Sequence, residues 1–182
     1  MLSSLEGWTS TIDVTEDGVR HAREVLGLDV IRGDLLSHDF GDRRFDVVCL
    51  WDTIEHLPRP DLFIERLAES TESGALLAVT TGDIGSLNAR LAGRRWRLIH
   101  PPTHLHYFTR GSLLRLLHRH GFEPVHDRSC GFYRSADFTA WNLLALRWGM
   151  RPVYEALAKL RLTRFDFYLD LGDIRYVVAR RR

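Results

Sequence analysis

An α/β fold, one sheet of buried strands with helices on both faces, is predicted by three features of this 182-residue chain. Apolar runs with strand character alternate with helix-period segments from end to end. Two of those runs, "FDVVCLW" at 45–51 and "ALLAVTT" at 75–81, are continuous enough to be strands of a parallel sheet buried on both faces. The helical segments between them carry capping residues at the start and glycines at the stop.

Thr9 to Val14 reads as the first strand. A helix follows from about Asp17 to Leu26, with Thr15 placed to cap it and Gly27 where such helices end. Asp29 to Arg32 is a short second strand, and Phe45 to Trp51 is the clearest strand in the chain. After Pro58 and Pro60 comes a helix to about Ser70, with Leu62, Phe63, Ile64 and Leu67 apolar and Glu65, Arg66 and Glu69 outward. Gly74 opens the next strand. Thr109 to His120 is a helix with a Thr cap, leucines at 113, 114, 116 and 117, and a stop at Gly121, after which "GFEPVHDRSC" returns toward the sheet. Residues 136–162 form two helical patterns separated at Pro152, and Asp173 to Ala179 is the final strand. With no internal repeat, residues 1–182 read as one domain carrying a helical insertion at 136–162 before the last strand.

Composition narrows the classes. At 45% hydrophobic content the chain is long enough to bury roughly 70% of the surface its unfolded form exposes. A net charge of +1 supplies no overall field for nucleic acid, and Arg180, Arg181 and Arg182 read as a solvated tail. Cys49 and Cys130 are too few and too far apart for a disulfide framework, so a reduced cytoplasmic protein with Cys49 buried is expected. No window reaches the ~18 apolar residues of a membrane span, and no membrane partner is expected.

The motifs are more specific than the composition. "FDVVCLWDTIEHLPRP" at 45–60, "ESGALLAVTT", "LAGRRWRLIHPPTHLHYFTRGSLLRLLHRHGFE" and "LGDIRYVVARR" follow one another in an order and spacing that resembles the class I S-adenosylmethionine-dependent methyltransferases, in the broad group that includes the ubiquinone-biosynthesis O-methyltransferases. The resemblance covers most of the chain from Gly7 onward. It implies a Rossmann-like sheet, S-adenosylmethionine as cofactor and a small-molecule methyl acceptor.

In open parallel sheets ligands lie outside the carboxyl ends of the strands, and acidic residues fall at such ends here. The resemblance implies that Asp13 accepts the ribose hydroxyls, which suits the two acceptor oxygens of a carboxylate. It implies that Asp34 takes the adenine amino group, with Leu35 offering an amide and an apolar contact, and that Trp51 and Asp52 line the methyl-bearing side. Plainer readings stand beside these: Asp13 as a helix-entry residue, Asp34 as a turn former beside Gly33, Asp52 as a cap on the next turn.

Glu55 and His56 precede a proline turn, where a carboxylate and an imidazole could take a proton from an acceptor hydroxyl or amine; equally, they could only hold the turn. His104 joins them as a candidate base. Trp96, His106 and Tyr107 are expected to wall the acceptor pocket, with core packing an equal reading for Tyr107 and Phe108. His100, His104 and His106 raise a metal hypothesis, but no carboxylate sits among them and no metal site is expected. The 136–162 helices are expected to cover the substrate; the plainer reading is that they pack on the sheet, and a basic amphipathic face touching a membrane is a further alternative.

The chain departs from the family at its start. "MLSSLEGWTSTID" matches the end of a first helix and a second strand, so the first strand and the "E-x-G-x-G-x-G" loop, about forty residues for a strand–helix unit, are expected to be missing. Three explanations are open: a fragment, a decayed relative, or a strand supplied by another chain, as in a homo-oligomer. The rival to a methyltransferase is a non-catalytic binding or scaffold remnant of the same fold.

Overall fold

The computed structural model describes residues 11–182. Strand β1 (Thr11–Asp13), helix α1 (Glu16–Glu24) and strand β2 (Val30–Arg32) form a parallel β-α-β unit. The first two residues of the expected strand, Thr9 and Ser10, and the chain start on which the missing-segment reading rests, lie outside the described residues. Gly27, with φ of 65°, reverses the chain after α1, a conformation that side chains disfavour.

The main sheet is built from β3 (Phe45–Trp51), β4 (Thr71–Gly82), β5 (Phe122–Ser129) and β8 (Ile174–Arg181), in the order β3-β4-β8-β5. β3 and β4 are parallel, but β8 lies between β4 and β5 and is antiparallel to both, so the sheet is mixed rather than parallel throughout. Strand direction is not written in apolar runs; it follows from where β8 enters.

The core lies on one face. Leu50, Leu77, Val79, Val177 and Ala179 share it through the registers Leu50↔Val79, Val79↔Val177 and Leu77↔Ala179. Against them pack Ile64 and Leu67 of α2 (Pro60–Glu69) and Leu113 and Leu117 of α4 (Arg110–Arg119), with Phe122. Each such side chain contributes roughly 1.5–3 kcal/mol on burial. The expected cap of α4 is present as a capping box, with Thr109 and Ser112 each accepting from the other's backbone N–H.

On the opposite face Val47, Cys49 and Trp51 are exposed, which corrects the expectation that β3 is buried on both sides and Cys49 within it. The period-2 alternation of a strand sends these three residues away from α2 and α4, and no described helix covers them. Nor does any described strand join β1 to β3.

Between β5 and β8 the chain forms a further unit. An antiparallel pair, β6 (Phe132–Ser135) with β7 (Asp166–Leu169), forms its base. Between them run α5 (Ala136–Ala140), a π-helical segment over Trp141–Arg147 and α6 (Arg151–Lys159), with Pro152 in the first turn of α6 where its missing N–H costs nothing. The short β6 and β7 were unread because their pairing is decided by contact between residues more than 30 positions apart. No helix among the described residues is long and apolar enough to cross a membrane.

Candidate active site

The carboxyl ends of β3 and β4 meet a loop, residues 96–108, that returns from α3 (Leu87–Ala92) to α4. At the end of β3 the chain turns sharply. Asp52 has φ of 46°, a left-handed conformation that Asp tolerates better than most residues, and its carboxylate accepts from the Thr80 hydroxyl at 3.0 Å. The Asp52 carboxylate is thus engaged with Thr80, the Ile54–His56 turn has no side-chain cap, and Asp52 is exposed beside Trp51.

A single 3-10 turn, Ile54–His56, then presents two candidate proton acceptors, one buried and one exposed. Glu55 is buried, and its Oε2 accepts from the Thr81 hydroxyl at 3.0 Å. Its backbone carbonyl accepts from the N–H groups of Leu105 and His106 at 2.8 and 3.1 Å, tying the 96–108 loop to the sheet. His56 is exposed, with Nδ1 2.7 Å from the Thr103 carbonyl. A carbonyl can only accept, so the proton sits on Nδ1 and Nε2 carries a free lone pair. The His104 ring stands edge-on to that of His56, with centroids 4.7 Å apart.

Glu55, His56 and His104 each offer a ligand atom within 4.8 Å of the others. No carboxylate lies among the loop histidines in sequence; the fold supplies one from 49 positions upstream of His104. Two imidazoles and a carboxylate suit a divalent transition ion, and the Nδ1–H bond from His56 to a backbone carbonyl is the orienting contact such ligands use.

The remaining loop residues divide. Tyr107 is part-exposed and near His104, with ring centroids 6.4 Å apart, as an acceptor wall requires. His106 points its Nε2 at the Pro58 carbonyl, 3.4 Å away, and braces the proline turn. Trp96 does not wall the pocket: it is buried, its indole N–H donates to Asp173 at 2.8 Å, and its ring lies under Gly82, where a Cβ would come 3.0 Å from it.

Asp173 was missed. It is 1% exposed and accepts from Asn88, Trp96 and Arg97 at 2.7, 2.8 and 2.8 Å. Burial alone would raise its pKa, but the hydrogen bonds from Trp96 and Arg97, the Arg97 charge and the Asn88 amide hold it below the usual carboxylate range. In sequence it is only an acidic residue ahead of an apolar strand, and its partners lie more than 70 positions away.

The residues expected on the adenosine side sit on the smaller sheet. Asp13 ends β1, and its Oδ1 accepts from the backbone and hydroxyl of Thr15, both at 2.7 Å, which is the helix-entry role. The Asp13 and Thr15 side chains pack closely on Gly18, where an added Cβ would come 2.5 Å from the Thr15 hydroxyl and 2.9 Å from the Asp13 Oδ2. Asp34 is exposed and accepts from the Leu36 N–H at 3.0 Å, forming the expected turn, while the Leu35 side chain is buried in the core.

Comparison with known proteins bears on the family and the fold. A family model described as a methyltransferase domain matches residues 8–127. Among solved structures, the chain is similar to an S-adenosylmethionine-dependent methyltransferase of Thermotoga maritima, described as a possible histamine N-methyltransferase, at 15% identity and TM-score 0.64, covering 96% of this chain and 73% of that one. It is similar also to such a methyltransferase of Archaeoglobus fulgidus, at 17% identity and TM-score 0.60, covering 94% and 75%. A third is the magnesium protoporphyrin IX methyltransferase of Synechocystis with bound S-adenosylhomocysteine, at 17% identity and TM-score 0.53, covering 95% and 64%. No curated protein matches by sequence. The family match spans well over half of the chain, including the Glu55–His56 turn and His104, and places it in the methyltransferase-domain family of S-adenosylmethionine-dependent enzymes.

Proposed function

We propose that this chain directs methyl transfer from S-adenosylmethionine to an oxygen, nitrogen or carbon of a small molecule, with His56 and His104 as candidate bases and Glu55 beside them. The observation that carries this is the bare Nε2 of His56, fixed by the Nδ1–H bond to Thr103 and set beside His104 at the carboxyl edge of β3. The cofactor supplies an electrophilic methyl group, so the protein's tasks are alignment and, for a protonated nucleophile, removal of one proton. That proton passes to the His56 Nε2 or to His104, and the Glu55 carboxylate stabilises the resulting imidazolium.

Asp13, whose Oδ1 is taken by Thr15, is assigned to the ribose hydroxyls through the second acceptor oxygen of its carboxylate. Asp34 and the Leu35 amide are assigned to adenine, and Trp51 with Asp52 to the methyl-bearing side. Tyr107 is assigned to the acceptor wall. Calorimetry with S-adenosylhomocysteine tests the reading. Saturable binding supports the enzyme; its absence supports a fragment or a scaffold remnant.

A second reading follows from the three clustered donor atoms. A divalent ion held by Glu55, His56 and His104 would bind the acceptor oxygen and lower its pKa, replacing the base. Retained metal in the purified protein, lost in His56→Ala, supports this; turnover indifferent to chelators excludes it.

A further inference from the structure

Residues 132–169, the β6/β7 pair with α5, the π-helical segment and α6, stand apart from the main sheet and leave much of their apolar surface in water. The π-helical segment and α6 bury no residue. Phe138, Leu146, Trp148, Leu160, Leu162 and Phe165 are each more than half exposed. On α6 the half-buried Tyr154, Leu157 and Ala158 turn inward, where Tyr154 meets Trp141, while Val153, Ala156 and Leu160 form an outward stripe at i, i+3 and i+7.

The charge around this surface is one-sided. Between Arg134 and Arg164 the chain has six cations, Arg134, Arg147, Arg151, Lys159, Arg161 and Arg164, all exposed, against two carboxylates. One of the two, Asp137, is turned inward to accept from Tyr154 at 3.1 Å and Thr163 at 2.6 Å. The other, Glu155, pairs with Arg151. Arg147, Lys159, Arg161 and Arg164 make no ion pair among the described residues. Counting also the exposed Asp166 of β7, residues 132–169 carry six cations and three carboxylates, an excess of three positive charges among exposed apolar side chains.

We propose that this appendage is a docking surface for an anionic phospholipid bilayer. Charge complementarity identifies the partner. Arginine and lysine stems can lie along the apolar face with their heads at anionic headgroups, while leucine and tryptophan side chains enter the acyl boundary. A nucleic acid would use the cations but leave the leucines in water. Helices of this length lie on a bilayer rather than cross it, so the absence of a span among the described residues does not oppose the assignment. It reverses the expectation of no membrane partner. The chain enters the appendage from the end of β5 and returns at the start of β8, where Ser129 pairs with Arg175 and Gly82 with Ile174, at the same sheet edge as the candidate active site. Docking therefore brings that edge toward the lipid.

The test is co-sedimentation of the full chain, without cofactor, with vesicles of phosphatidylcholine alone and of equal parts phosphatidylcholine and phosphatidylglycerol. The protein should pellet with the anionic vesicles and stay in solution with the neutral ones. Leu146→Ser with Leu160→Ser should weaken binding by at least about tenfold, the value expected from withdrawing two leucines from the acyl boundary. It should leave the circular dichroism spectrum unchanged, since both side chains are already exposed. Arg147→Glu with Arg161→Glu and Arg164→Glu should abolish binding. Failure to pellet with anionic vesicles, equal pelleting with neutral ones, or pelleting unaffected by the leucine changes overturns the proposal; so does a dimer in solution that buries these leucines and excludes lipid. None of these readouts involves methyl transfer, so the proposal fails or stands apart from the proposed activity.

Discussion

Replacing Asp173 with alanine should be among the most damaging single changes in the protein. The carboxylate is 1% exposed and collects three side-chain donors, two of them from the segment that opens the 96–108 loop. Hydrogen bonds to a charged acceptor contribute about 1.5–3 kcal/mol each, but the three do not simply add. Arg97 is 35% exposed and regains water when its partner is lost, so its share is small. The buried Trp96 N–H has no such recourse. The net cost should be about 3–4 kcal/mol, or roughly 10 °C in the thermal midpoint of a chain of this length. Asp173→Asn keeps one acceptor oxygen for Trp96 and Asn88 and should cost about half as much.

The pH dependence separates charge from shape. Because the folded pKa of Asp173 is depressed, its ionic contribution is fully present above the unfolded value of about 3.9 and is lost as pH falls from there through the folded value. The stability gap between parent and Asp173→Asn, followed by denaturant titration, should therefore hold steady at neutral pH and narrow below about pH 4. A midpoint within 2 °C of the parent for the alanine variant, or a gap that widens in acid, would refute the reasoning.

Three further outcomes bear on the site. Asp13→Ala should weaken S-adenosylhomocysteine binding by about tenfold in calorimetry, as loss of ~1.5 kcal/mol of hydrogen bonding implies, and unchanged affinity removes Asp13 from the site. His56→Ala and His104→Ala should each cut turnover sharply with cofactor affinity nearly unchanged; turnover within about twofold of the parent for both leaves Glu55 or alignment alone as the surviving accounts. Thr81→Val should destabilise the fold by about 1–3 kcal/mol in denaturant titration, because it strips the buried Glu55 carboxylate of its hydroxyl donor, and a neutral result means that Glu55 is satisfied elsewhere.

The sequence by itself determined most of the strands and helices, though not β6, β7 or α3, and the family. Continuous apolar runs such as 45–51, the Thr109 cap and the Gly121 stop are local signals, and the geometry that answers them is local too. Residue types suited to the chemistry were also legible, because Glu55-His56 and His104-Leu105-His106 stand out as short motifs. What those residues do in space was decided by tertiary structure. Strand direction in the sheet, the open face of β3, the pairing of β6 with β7 and the union of Glu55 and His56 with His104 all depend on contacts tens of residues apart, which no window of sequence contains. The same cause explains the reassigned residues. An indole reads as a pocket wall until a distant carboxylate claims its N–H, as Asp173 claims Trp96, and an unremarkable aspartate becomes an anchor only once burial removes its water and leaves protein donors as its sole partners.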